Sequence, residues 1–152
     1  INKTIGDLAG PMAFAILMGS SRAFYGKFGD KINLERFMQY SAVLCMVSYL
    51  MIAFIPVPAL GILGCAVCGL SVGIMWPGTF SMAAASVKRG GTALFALLAL
   101  AGDVGCSSGP TYVGMISGAL NDNLKLGIFA ALIFPVLMIM GIKMIGSLRK
   151  YD

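Results

Sequence analysis

Of 152 residues, 59% are hydrophobic and 11% are charged, with a net charge of +5. A water-soluble domain carries about 25% charged residues, and a soluble chain with a mean hydropathy of +0.90 would expose large apolar patches, which excludes that class. The cations fall in short clusters between long apolar runs, a membrane-topology pattern that excludes a nucleic-acid-binding face.

There is no histidine, so His-based triads, His metal sites and His proton relays are excluded from this segment. The chain opens at Ile1 on a polar turn, INKTIGD, with neither an initiator Met nor a signal peptide. That opening reads as a chain cut from a longer one. A helix needs about 20 apolar residues to cross the hydrocarbon core. Candidate stretches lie at 6–27, 37–55, 59–85, 92–119 and 126–147, which predicts an all-α integral membrane fold of five transmembrane helices in a single membrane domain. The third and fourth exceed the required length and are expected to tilt or extend past the bilayer.

The first span carries Asp7 and Pro11 near one end, with Asp7 expected at the interface. A basic loop at 28–36 follows, then the second span, then Pro56-Val57-Pro58. The third span holds Cys65 and Cys68 in the run GILGCAVCGL. A redox or zinc CxxC needs a polar, accessible setting, so these residues, like Cys45 and Cys106, are expected to pack between helices. Deeper in the same span lie Trp76 and Pro77. Tryptophan collects at membrane surfaces, and one beside a proline inside a span reads as either a cavity wall that stacks on a flat apolar face or plain packing.

The fourth span carries Asp103 as its twelfth residue, about 16 Å in at ~1.5 Å per residue. It is the only charge in the middle of any span. A carboxylate at that depth must face a cavity or a partner. Pro110 withdraws a backbone donor, and the glycines of GDVGCSSGP ease unwinding. The pattern predicts a broken helix with Asp103, Ser107, Pro110 and Gly114 on one face, the way transporters build substrate and ion sites. The alternative is a protonated Asp acting as structural glue. After the polar turn Asn121-Asp122-Asn123, the fifth span ends near Lys143, which is expected to snorkel.

Nine of the eleven cations cluster at alternate connections: Arg22, Lys27, Lys31 and Arg36; Lys88 and Arg89; Lys143, Arg149 and Lys150. This predicts a cytoplasmic C-terminus and a chain start on the outer side. Gly6 and Gly10, Gly69 and Gly73, Gly105 and Gly109, and Gly114 and Gly118 are each four apart, the spacing of close helix packing in lipid.

The loop Gly26-Lys27-Phe28-Gly29-Asp30-Lys31-Ile32-Asn33-Leu34-Glu35-Arg36 resembles the signature loop of the major facilitator superfamily. Gly26, Gly29, Asp30 and Lys31 match it. Asn33 stands where a glycine is expected, Leu34 and Glu35 replace basic residues, and Arg36 restores one. In that family a weaker copy of the loop lies between spans eight and nine. The resemblance therefore implies spans eight to twelve of a twelve-span transporter, with an N-terminal half elsewhere. It also implies a cytoplasmic gate built on the loop, where Asp30 would cap a helix N-terminus of the other half. The stretch from Met75 to Gly105 is similar to sugar permeases such as fucose permeases.

The function expected from these readings is secondary active transport of a small solute by alternating access in the cell membrane. Coupling to protons through Asp103 and a sugar substrate are the implied refinements, with no metal and no cofactor. The alternative is a non-transporting sensor or assembly subunit with the same helices. With one central carboxylate and no His, the chain is not expected to be an intramembrane enzyme.

Overall fold

The computed structural model describes residues 3–87 and 90–148. These form helices and no strand: α1 (Lys3–Phe28), α2 (Leu34–Phe54), α3 (Pro58–Val72), α4 (Met75–Ser86), α5 (Gly91–Ala119), α6 (Leu124–Ala130) and α7 (Ile133–Leu148). The pairs α3–α4 and α6–α7 run on from one another, so the chain makes five helical rods. Four are long and apolar enough to cross a membrane: Leu34–Phe54, Pro58–Ser86, Gly91–Ala119 and Leu124–Ser147. The first rod, α1, has 26 residues and hence ample length, but it carries Asp7, Arg22 and Lys27 and is not among the four.

Local chemistry sets the boundaries. Asn33 caps α2 by accepting the Arg36 N–H at 3.2 Å, and Asn123 accepts the Lys125 N–H at 3.2 Å at the start of α6. Pro58 opens α3, where its missing N–H costs nothing. Asn121 and Asp122 turn the chain after α5 with φ of 57° and 56°, the left-handed region that Asn and Asp tolerate best after glycine.

The expected single helix over 59–85 is interrupted at Gly73 and Ile74, although both keep right-handed helical angles. Pro77 lies four residues after Gly73 and cannot donate to its carbonyl. The same device recurs at α6–α7. There Pro135 follows Ala131 by four residues, and the Ala131 carbonyl is instead taken by the Phe134 N–H at 3.1 Å.

Packing runs α1 on α3, α3 on α2, α2 on α6 and α7, and α6 on α5. The buried core lies mainly on α2 and α3: Met38, Ala42, Cys45, Ala53, Ala66 and Cys68. Buried Ser48 and Ser71 donate to the Cys45 and Cys68 carbonyls at 2.8 and 2.7 Å, so their hydroxyls need no partner from another helix. Cys68 is buried toward α2, while Cys65 Sγ lies 3.9 Å from where a Gly10 Cβ would stand on α1.

Helices α1 and α3 are parallel and step together four residues at a time. Gly10 faces Cys65, Phe14 faces Gly69, and Met18 faces Gly73. A Cβ on Gly69 would collide with the Phe14 carbonyl oxygen, and one on Gly73 would stand 2.8 Å from the Met18 oxygen. Here the glycine spacing brings two backbones into contact. At Gly105, Gly109, Gly114 and Gly118 the added atom would meet nothing within 4 Å. The same four-residue spacing therefore marks an interface on α3 and an open surface on α5.

Candidate functional site

Helix α5 carries the central carboxylate. It runs unbroken from Gly91 to Ala119 with Pro110 inside it, so the broken helix expected at this point does not form. One lost hydrogen bond is tolerated when the flanking turns hold. Ser107 donates to the Asp103 carbonyl at 3.0 Å and Thr111 to the Ser107 carbonyl at 2.7 Å, so both hydroxyls find acceptors within the helix.

Asp103 and Ser107 line one groove of about 610 Å³ together with Val104, Ser108, Thr111, Tyr112 and Met115. All seven belong to α5. Pro110 is exposed but is not among these lining residues. The packed face of the helix lies away from Asp103, with groove-lining Tyr112 at its margin. Val113 and Ser117 lie against Gly127 of α6, and Tyr112 meets Phe134 of α7 edge-on at 5.6 Å. The Asp103 side chain is exposed on this face, and its backbone carbonyl takes the Ser107 hydroxyl.

Trp76 does not line this groove; it reaches α5 on the face that also carries Val113. Its indole packs on the bare backbone of Gly102, where a Cβ would collide with Cη2 and Cζ3. Phe80 holds it edge-on at 4.7 Å, and Phe95 of α5 stacks on Phe80 at 5.7 Å. The indole is 43% exposed, so one part is seated and the rest is free to meet another molecule. Pro77 does not line the groove; its effect is on the backbone at Gly73.

The loop after α1 is compact. Gly29, Asp30 and Lys31 form a single 3-10 turn closed by the Ile32 N–H on the Gly29 carbonyl at 3.2 Å. A Cβ on Gly29 would press on the Tyr25 ring at 3.1 Å, while Gly26 faces open space. Lys31 and Arg36 are exposed. The Asp30 side chain, on which the gate expectation rests, lies outside the described residues, as do Lys88, Arg89, Arg149 and Lys150 of the charge pattern. Asn33 is the α2 cap, which explains a side-chain acceptor at a position where the family loop has glycine.

Sequence reasoning missed three residues of this region. Gly102 seats Trp76, Phe95 completes the aromatic row, and Arg22 reaches Gly73. The charge pattern counts Arg22 only among the cations flanking the first connection, yet its Nε donates to the Gly73 carbonyl at 3.2 Å. Its position inside the predicted first span was the available signal. Among the described residues, no cluster of three His, Cys, Asp or Glu is placed to hold a metal. Comparison with family models, curated proteins and solved structures gives no match to any of them.

Proposed function

We propose that the chain is one part of a secondary transporter of the major facilitator type, with the Asp103 face of α5 as a wall of the solute pathway. The observation that carries this reading is the open stripe of Asp103, Ser107, Ser108 and Thr111 on a helix apolar enough to cross a membrane. Such a stripe is costly against lipid and favourable against water, solute or a polar partner. Trp76, half-exposed on another face of α5, suits stacking on the apolar face of a sugar. The match of the 26–36 loop to the superfamily signature and the alternation of cations support the same assignment, with the C-terminus cytoplasmic and a proton as the coupling ion on Asp103.

The test is solute uptake by the whole transporter carrying Asp103→Asn. The neutral amide keeps shape and removes the titrating group, so uphill accumulation should be lost while expression persists. Unchanged accumulation would remove Asp103 from the coupling step.

The open glycines of α5 favour a second reading, an assembly subunit whose α5 docks on another membrane helix. Replacing Gly105 and Gly109 together with leucine separates the two. Loss of a co-purifying partner with no solute flux in the parent protein supports assembly. Altered transport with an unchanged complex supports the pathway.

A further inference from the structure

We infer that Arg22 is a removable cap on the break between α3 and α4, and that it sets the position of Trp76. Pro77 has no N–H, so the Gly73 carbonyl has no donor from its own helix at the usual place. At the parallel break before Pro135 the chain repairs the gap locally, through the Phe134 N–H on Ala131. At Gly73 the repair comes from a different helix, as the Arg22 Nε–H donates at 3.2 Å. The register of α1 on α3 makes this possible. Continuing its four-residue steps beyond Met18 and Gly73 pairs Arg22 with Pro77.

A local repair cannot be withdrawn without unwinding the helix. A side chain from a neighbouring helix can swing away, or be pulled away when α1 shifts. With the guanidinium in place, α4 continues α3 and Trp76 rests on Gly102. With it withdrawn, the Gly73 carbonyl is unsatisfied in an apolar setting, and the interruption at Gly73 and Ile74 becomes a hinge that carries Trp76 off α5. Arg22 stands six residues before Phe28, the last residue of α1, so a movement of the 26–36 loop reaches the hinge through one helix end. The bearing of this device on solute movement rests on the function proposed above; the cap itself does not.

Trp76 is the only tryptophan of the 152 residues, so its fluorescence reads the hinge without any transport assay. The experiment measures acrylamide quenching of the purified chain in lipid nanodiscs for four proteins: the parent, Arg22→Met, Pro77→Ala and the double variant. Pro77→Ala returns an N–H aimed at the Gly73 carbonyl and should make Arg22 redundant. Loss of one charge-assisted bond shifts the seated-to-released ratio about tenfold, so quenching in Arg22→Met should rise at least about twofold. It should stay at the parent level in the double variant. If Arg22→Met alone fails to fold, recovery of folded protein in the double variant is the same rescue. The cap is overturned if Arg22→Met leaves quenching unchanged, if it raises quenching equally with and without Pro77, or if neither arginine variant folds.

Discussion

Replacing Gly69 with alanine tests the α1–α3 contact. The new Cβ would collide with the Phe14 carbonyl oxygen and stand 2.8 Å from the Phe14 carbonyl carbon and Cα, against 3.4–4 Å for ordinary contact. These are backbone atoms, so no rotamer change relieves the clash, and α1 must back away by at least about 0.6 Å along its whole line of contact. A gap of that order forfeits about a quarter or more of each dispersion well across the interface. Overpacking of this kind costs about 1–3 kcal/mol, offset by up to about 1 kcal/mol from alanine's better helix propensity. The net expectation is a loss of about 1–2 kcal/mol. Gly105→Ala is the control. Its Cβ meets nothing within 4 Å, so it should be neutral or gain up to about 1 kcal/mol. Far-UV circular dichroism over a denaturant titration in mixed micelles measures both. Equal midpoints for the two variants would refute the assignment of Gly69 to a helix crossing and Gly105 to an open face.

The remaining predictions follow from single contacts. On the proposed function, Asp103→Asn should abolish uphill uptake by the complete protein at normal expression, and Arg22→Met should release Trp76 to quencher unless Pro77 is also replaced. Asn33→Ala removes the acceptor of the Arg36 N–H and should destabilise the chain by about 1 kcal/mol, read in the same titration. A maleimide added to the folded chain in detergent should label exposed Cys106 rapidly and leave buried Cys45 and Cys68 unmodified until denaturant is added. Equal rates for all three would contradict the packing of α2 on α3.

Apolar run length and punctuation residues made the rods and turns readable from sequence. Asn33, Pro58 and Asn121-Asp122 act through local chemistry, and local chemistry is visible in a string of letters. The interfaces were less visible. Gly69 and Gly73 share their spacing with Gly105 and Gly109, and only the arrival of α1 distinguishes them. The prolines make the same point. Pro110 sits inside a continuous α5, whereas Pro77 and Pro135 each follow an interruption, though all three lack the same donor. What differs is the surroundings: the Gly73 carbonyl is answered from α1 and the Ala131 carbonyl by the Phe134 N–H, whereas α5 continues through its proline. Asp103 was found because a lone charge in an apolar run is conspicuous. Gly102 reads in sequence only as a glycine that eases unwinding, because the indole it accommodates comes from another helix.

The parallel alignment of α1 and α3 bears on how the chain is assembled during synthesis. Parallel neighbours are joined through an intervening helix that runs the other way, so α1 and α3 meet only after α2 has crossed back. The least apolar of these rods therefore finds its main neighbour only after α2 and α3 have followed it. Until Gly73 emerges, the guanidinium of Arg22 lacks the carbonyl it meets in the finished fold. A nascent chain that ends before α3 should hold α1 poorly in the bilayer, and completion of α3 should secure it. The order of translation thus makes α1 depend on the later α3 for its packing.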